Sequence, residues 1–160
     1  MSTDQFCKPS ALDSYSQRYG AAVTWLQGII PDAALLLSAR LFTAAIFFQS
    51  GRTKMNGLSL SENTFFLFQE EYSLPWINPY LAAYVTTFAE HLLPILLVLG
   101  CATRVSALLL LMMTLVIQLF VYPDAWPTHG TWATLLLLLI IKGPGNWAID
   151  VKLLEQWRRT

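Results

Sequence analysis

Residues 80–100 read YLAAYVTTFAEHLLPILLVLG, a run in which Glu90 is the only residue with a full charge at neutral pH. A transmembrane helix needs roughly 17–25 predominantly apolar residues to cross the hydrocarbon core of a bilayer. Two further runs meet that requirement: residues 33–51, AALLLSARLFTAAIFFQSG, and residues 105–122, VSALLLLMMTLVIQLFVY. These three runs predict three membrane-spanning helices.

A fourth apolar run is shorter. Residues 128–142, THGTWATLLLLLIIK, contain a core of only about a dozen apolar residues, which is marginal for a span. Trp126, Trp132 and Lys142 lie near its ends, where aromatic and basic side chains anchor a helix at the membrane interface. The prediction is therefore an all-α membrane protein with a bundle of four transmembrane helices.

The composition agrees with a membrane protein. The chain has 160 residues, of which 55% are hydrophobic and 12% charged, whereas soluble domains average about 45–50% apolar and about 25% charged residues. Ten basic and ten acidic residues give a net charge of zero, which excludes a protein that binds nucleic acid through a basic face. The high apolar content excludes a disordered chain. The length and the lack of repeats or linkers predict a single membrane domain over residues 1–160.

The basic residues outside the apolar runs predict the orientation, because Lys and Arg concentrate in cytoplasmic loops. With four spans, both tails and the second loop lie on one side of the membrane. The basic residues of that side are Lys8, Arg18, Arg104, Lys142, Lys152, Arg158 and Arg159, against Arg52 and Lys54 on the other. Both termini are therefore expected in the cytoplasm, with residues 52–79 and 123–127 outside. The polar start MSTDQFCKPS lacks the basic region of a signal peptide, so the first span is expected to direct insertion.

Two segments outside the spans show helical patterns. In residues 1–32, apolar side chains recur at helical spacing and predict an amphipathic helix on the cytoplasmic surface, with a loosely ordered tail as the alternative. These side chains are Tyr15, Tyr19, Val23, Leu26 and Ile30. In the first outer loop, Ser61 is placed to cap a short helix that contains Phe65, Phe66 and Phe68. Residues 143–160 are expected to form a cytoplasmic C-terminal segment.

Two opposite charges lie inside the apolar runs. A charge at mid-bilayer costs at least about 2.5–3.5 kcal/mol on insertion scales, so it usually faces a partner or a cavity. Arg40 and Glu90 each lie about ten residues below the outer end of their span, which places both roughly 14–17 Å deep. The matching depth predicts an ion pair between them. Such a pair serves either as structural packing between helices or as the base of a binding site.

Further polar side chains are expected above that pair. Helical periodicity places Lys54 on the same stripe as Arg40, and Gln118 lies near the outer end of the third span. With residues of the neighbouring spans they would line an outward-opening chamber whose apolar walls could hold a small ring compound bearing polar oxygens. The predicted ligand-binding residues are Arg40, Gln49, Lys54, Glu90, Gln118, Tyr122 and His129. For Gln118 and His129 a structural role is the alternative, and no residue is assigned a catalytic role.

No metal site is predicted. Cys7 lies in the N-terminal tail and Cys101 in a short loop, so the two cysteines form no spaced ligand motif. His91 lies about 16 Å below the outer surface and His129 lies near that surface. Two axial ligands of one haem need almost equal depth, which disfavours a haem shared by these histidines within one chain.

Four strings carry a resemblance to a known family: RLFTAAIFFQSGRTKM at residues 40–55, AEHLLPILLVLGCATR at 89–104, LVIQLFVYPDAWPTHGTW at 115–132 and KGPG at 142–145. In this order they resemble the DoxX family of small membrane proteins over about residues 35–150. The resemblance implies a four-helix bundle in the inner (cytoplasmic) membrane of a bacterium, related to the membrane subunit of a thiosulfate:quinone oxidoreductase. The motif positions that it carries over are Arg40, Gly51, Lys54, Glu90, Pro94, Gly100, Arg104, Gln118, His129, Trp132, Gly143 and Gly145.

Three functional hypotheses follow. The first, implied by the resemblance, is a quinone-linked redox component in which Lys54, Gln118 and His129 contact the oxygens of a bound quinone. The sequence has no flavin or dinucleotide fingerprint and no paired redox cysteines, so the electrons would come from a partner redox protein or a directly bound quinone. The second is a non-enzymatic membrane anchor or assembly subunit for a membrane or soluble partner. The third is a small-molecule or metal-ion permease, which at four helices would require a homo-oligomer.

Overall fold

The structure, a computed structural model, describes residues 11–72 and 76–157. The predictions for Cys7, Lys8, Arg158 and Arg159 therefore lie outside the described residues. In chain order the elements are α1 (Ala11–Ile29), α2 (Asp32–Thr53), β1 (Met55–Asn56), β2 (Ser59–Leu60), α3 (Glu62–Glu70), α4 (Pro79–Leu99), α5 (Thr103–Phe120), a 3₁₀ turn (Pro123–Ala125), α6 (Trp126–Lys142) and α7 (Ile149–Trp157).

Four helices form the body of the protein. Each packs on two neighbours, in the order α2, α4, α5, α6 and back to α2. Their facing sides are apolar and bury one common core, as amphipathic helices do when they pack together. The core residues are Leu36, Ala39, Ala44, Phe47, Leu93, Leu97, Ala107, Leu110, Leu111, Leu136 and Leu139.

The outward faces of these helices are also apolar, which suits contact with lipid rather than water. Phe42, Phe88 and Leu119, for example, are each about two-thirds exposed. Within the described residues, three helices are long and apolar enough to cross a membrane: α2, α4 and α5. These three helices confirm a helical membrane protein. Helix α6 has 17 residues, about 25 Å at 1.5 Å per residue, so the fourth span and the orientation stay predictions.

Helix α1 confirms that the N-terminal pattern is helical. Its large apolar side chains are exposed, among them Tyr15, Tyr19 and Trp25. The helix ends at Ile29, just before Pro31, whose missing N–H cannot continue the ladder. Its position on a membrane surface stays a prediction.

A short hairpin and helix α3 cover one end of the bundle, which we call the hairpin end. Strands β1 and β2 pair antiparallel around Gly57, which has a φ of +65°. As predicted, Ser61 caps the following helix, and its side chain accepts a hydrogen bond from the Thr64 N–H at 3.2 Å. The Thr64 hydroxyl donates to the Lys54 carbonyl at 2.8 Å and thereby ties α3 to the end of α2.

The opposite end of the bundle, which carries α7, is the α7 end. Helix α4 ends there at Gly100, whose φ of +68° lies in the left-handed region that favours glycine. A Cβ at this position would collide with the Arg40 guanidinium and would lie 2.5 Å from the Ala148 Cβ. Gly100 is therefore required both by the backbone conformation and by the close packing around it.

Replacing Gly100 by alanine is expected to lower the free energy of unfolding by about 2–4 kcal/mol, because left-handed strain and overpacking add together. Gly57→Ala is the matched control, since Gly57 has a similar φ but an added Cβ there would meet no atom within 4 Å. That control should lose only about 1–2 kcal/mol. Thermal unfolding of both variants in the same detergent measures the difference, and equal losses would contradict the packing contribution.

Candidate functional site

A buried ion pair lies near the hairpin end, between α2 and α4. The Lys54 Nζ is 2.6 Å from Glu90 Oε2 and 2.9 Å from Oε1. Only 8% of the Lys54 side chain and 2% of the Glu90 side chain are exposed. Charges this well buried are stable only when they are paired and hydrogen-bonded.

Ser50 completes the bonding of this pair. Its hydroxyl donates to Glu90 Oε1 at 3.0 Å and accepts from the Lys54 Nζ at 2.9 Å. Pro94 lies one turn further along α4 and has no N–H, so the Glu90 carbonyl cannot receive the usual helical hydrogen bond from that residue. A carboxylate, an ammonium and a hydroxyl thus meet at one depth in the bundle, at a turn of α4 where one helical hydrogen bond is missing.

Arg40 does not pair with Glu90, so that prediction was wrong. The Arg40 side chain is fully buried near the α7 end, where Nη1 donates to the carbonyls of Leu97 and Val98, each at 3.4 Å. Its Nη2 donates to the Trp147 carbonyl at 2.6 Å. Arg40 therefore joins the carboxyl end of α4 to the connection that precedes α7, and it is not part of the site around Glu90.

The register of α2 against α4 explains the error. Ser50 and Lys54 lie level with Glu90, although α2 ends at Thr53 and α4 begins as far out as Pro79. Helix α4 therefore projects about two turns, ~12 Å, beyond the end of α2. The projecting turns pack on α3, and the Phe65 ring lies 5.3 Å from that of Tyr80. The predicted equal depth of Arg40 and Glu90 requires the two spans to end at the same level, and they do not.

Gln118 and His129 are joined to each other. The His129 Nδ1 lies 2.7 Å from Gln118 Oε1, and the Gln118 amide group donates to the Pro123 carbonyl at 2.6 Å. With that amide orientation, His129 carries its proton on Nδ1. The ring also packs 5.1 Å from that of Trp132. These contacts hold α5 and α6 together at the hairpin end, which agrees with the structural alternative for both residues.

Two tyrosines contact each other at the hairpin end, and one of them, Tyr72, interacts electrostatically with Glu90. The Tyr122 hydroxyl donates to Glu71 Oε2 at 2.8 Å, and its ring lies 5.9 Å from that of Tyr72. Burial raises the pKa of the Tyr72 phenol, and Tyr122 and the negative charge of Glu90 raise it further. The hydrogen bond to Glu71 raises the pKa of Tyr122. Tyr72 therefore stays protonated at neutral pH close to the Glu90 carboxylate.

Gln49 lies outside the site, contrary to the prediction. It is exposed on the outward face of α2, whereas Phe47 and Gly51 on either side of it are buried. At 100° per residue, Gln49 points away from the stripe that faces α4. Of the other predicted chamber residues, Lys54 bonds to Glu90 and His129 bonds to Gln118.

His91 is a site residue that the sequence prediction did not include. Its Nδ1 lies 2.7 Å from the Thr87 carbonyl, an acceptor only, so this nitrogen is the donor. The ring packs 5.2 Å from the Phe48 ring and against Gly51, where a Cβ would lie 2.8 Å from it. Within the described residues, its Nε2 makes no hydrogen bond. The signal that could have indicated His91 is Gly51, the small residue that admits the imidazole between α2 and α4.

A groove lies on the lipid-facing side of α2 and α4, and its lining begins one helical turn beyond His91 on α4. It has a volume of about 330 Å³, and nearly all of its lining is apolar. Pro94 and Ile95 line it one turn from His91 on the same helix, and the Phe48 ring lines it from α2. The complete lining is Leu41, Ala44, Ala45, Phe48, Pro94, Ile95, Val98 and Leu99.

Comparison with known proteins identifies a matching family and a relative, but no matching solved structure. The family model described as DoxX matches residues 35–123, a range that contains α2 except its first three residues, the whole of α3 to α5, the ion pair, His91 and the groove. An uncharacterized protein of Haemophilus influenzae strain Rd is 30% identical over 135 residues, which cover 78% of this chain and 86% of that protein. No solved structure matches.

Proposed function

The chain belongs to the DoxX family of membrane proteins, and we propose that it is a quinone-linked redox component of a bacterial inner membrane. The observation that carries the proposal is that Glu90, buried and paired with Lys54, and the imidazole of His91 lie one helical turn along α4 from an apolar, lipid-facing groove. Binding sites for small apolar molecules are typically apolar pockets with a few convergent polar groups.

The residues present fit a quinone, which has an apolar ring, two ring oxygens and an apolar tail. The groove between α2 and α4 is open to lipid and offers walls such as Ala45 and Ile95 to the tail and ring. The His91 Nε2 is available to a ring oxygen, because Nδ1 is held by the Thr87 carbonyl. A neutral imidazole accepts at Nε2 from a hydroxyl, and a protonated one donates to a carbonyl.

The ion pair supplies the means to hold and move a proton. Glu90 directly precedes His91 in α4 and is bonded to Lys54 and Ser50. Tyr72, close enough to Glu90 for electrostatic interaction, extends this series of groups toward the hairpin end. A bound quinone would supply two-electron, two-proton redox chemistry at its ring oxygens. The role of this chain is to orient those oxygens and to relay protons, while a partner redox protein supplies the electrons.

Binding of a short-chain ubiquinone analogue to the purified protein in nanodiscs tests the proposal, with quenching of tryptophan fluorescence as the measurement. Ala45→Phe fills the groove and is expected to weaken binding at least about tenfold, since a buried ring contributes more than about 1.4 kcal/mol. Val116→Phe is the matched control, because it adds a ring to the exposed face of α5. The proposal fails if the unaltered protein does not bind the analogue, or if both variants bind it equally well.

A second candidate function is a membrane anchor that docks a partner at the hairpin end. Leu58 is fully exposed there, and Phe66 and Trp76 are 65% and 78% exposed. Exposed apolar side chains grouped beyond the membrane spans are typical of protein contacts. A stoichiometric partner that co-purifies with the unaltered protein but not with Leu58→Ser/Phe66→Ser, while Glu90→Gln leaves function intact, would favour this candidate.

A further inference from the structure

A second cavity, of about 830 Å³ and open to the surroundings, lies at the α7 end, far from the ion pair. It is lined by the start of α5, the end of α6, the connection between α6 and α7, and α7 itself. Its lining is Ala102, Thr103, Arg104, Val105, Lys142, Pro144, Gly145, Asn146, Asp150, Val151 and Trp157.

The charges of this cavity favour an anion. Arg104 and Lys142 line it from two different helices, and neither makes an ion pair or hydrogen bond within the described residues. The acidic residue of the lining, Asp150, is already engaged, since its carboxylate accepts from the N–H groups of Ala102 at 2.8 Å and Thr103 at 3.0 Å. Two cations therefore line the cavity, while the one acidic side chain in its lining is hydrogen-bonded to the start of α5, where the helix dipole favours a negative charge.

The apolar surroundings indicate what the anion is attached to. Val105 lines the cavity and is 60% exposed. Leu108 and Leu109, one turn further along α5, continue the exposed apolar face away from it. Trp147 and Trp157 are exposed at the same end of the bundle, and tryptophan concentrates at the level of lipid headgroups.

We propose that this cavity binds the phosphate of an anionic phospholipid, with the acyl chains lying along the exposed face of α5. Arg104 and Lys142 hold the phosphate, and basic pockets between transmembrane helices are known to recognise such headgroups. The inference does not depend on the quinone proposal, because no residue that lines this cavity also lines the groove between α2 and α4.

Native mass spectrometry of the full chain in a neutral detergent tests the inference, with phosphatidylglycerol and phosphatidylcholine of identical chains offered together. Phosphatidylglycerol is expected to be retained preferentially. Each basic residue contributes about fivefold to binding of an anionic lipid, so Arg104→Gln/Lys142→Gln should reduce it about 25-fold. Arg52→Gln, which removes an exposed charge at the other end, should change it less than about twofold.

Two further measurements distinguish phospholipid binding from misfolding of the variant and from binding of free phosphate. Arg104→Lys retains the charge and should retain phosphatidylglycerol, which separates loss of charge from misfolding. Millimolar inorganic phosphate should not displace the lipid, because the acyl chains supply much of its affinity. Equal retention of the two lipids, unchanged phosphatidylglycerol binding in the double variant, or displacement by inorganic phosphate would each overturn the inference.

Discussion

Replacing Glu90 by leucine is expected to lower the free energy of unfolding by about 3–5 kcal/mol, since it leaves the Lys54 ammonium buried without its counter-ion. Lys54 is 7% exposed. Its Nζ lies 2.6 Å and 2.9 Å from the two carboxylate oxygens of Glu90 and 2.9 Å from the Ser50 hydroxyl. The Ser50 hydroxyl remains as a partner but cannot neutralise the charge. Unfolding by SDS titration in bicelles, followed by tryptophan fluorescence, measures the loss.

The double variant Lys54→Met/Glu90→Leu distinguishes the effect of leaving one charge unpaired from the effect of removing the whole ion pair. Replacing a whole buried ion pair by apolar residues of similar size is often neutral or stabilising, so most of the lost stability should return. Glu71→Gln is the control for a carboxylate at the surface, and it should cost less than about 1 kcal/mol. If the double variant were as unstable as Glu90→Leu alone, the ion pair would not be the cause of the loss.

The same double variant tests whether the pair exists for function. A structural pair can be exchanged for apolar residues without functional loss, whereas a proton-relaying pair cannot. On the proposed function, we therefore expect the double variant to be stable and still to lack quinone-linked activity. Recovery of both stability and activity would leave the pair a packing role only.

Much of the fold follows from local sequence. Length and apolarity alone identified the helices α2, α4 and α5, because no other structure satisfies the backbone of such runs in a bilayer. The Ser61 cap of α3 was also predictable, since a serine before a helix accepts from the N–H three residues on. The β1–β2 hairpin was not predicted, because two residues per strand leave too short a pattern.

The partners of the buried charges could not be inferred in the same way. Periodicity gave the correct faces of α2 and α4, so Lys54, Arg40 and Glu90 were all expected inside. Which cation meets Glu90 depends on how far α4 slides along α2, and nothing local to either helix sets that offset. The offset accompanies tertiary packing, including that of α3 against the projecting turns of α4, which no pattern within α2 or α4 encodes.

Replacing Arg40 by leucine is also expected to lower the free energy of unfolding by about 3–5 kcal/mol. The variant loses the hydrogen bonds of the guanidinium, and hydrogen bonds to charged groups contribute about 1.5–3 kcal/mol each. Three backbone carbonyls lose their donor, those of Leu97, Val98 and Trp147. Arg40→Lys should recover only part of the loss, since one ammonium cannot match the spread of the guanidinium. Arg52→Leu, at an exposed position of the same helix, should stay within about 0.5 kcal/mol.

The Arg40 and Glu90 variants should differ in which end of the bundle becomes less stable, and this difference separates their roles better than the overall free energy of unfolding does. Arg40 contacts the end of α4 and the connection before α7, and Asp150 is near enough to interact with its charge. Loss of Arg40 should therefore speed amide hydrogen exchange around residues 97–103 and 147–150 and leave the hairpin end protected. Loss of Glu90 should do the reverse and expose residues 50–64. Equal loosening of both ends in both variants would mean that the bundle opens as one unit, and that Arg40 and Glu90 do not stabilise separate ends of it.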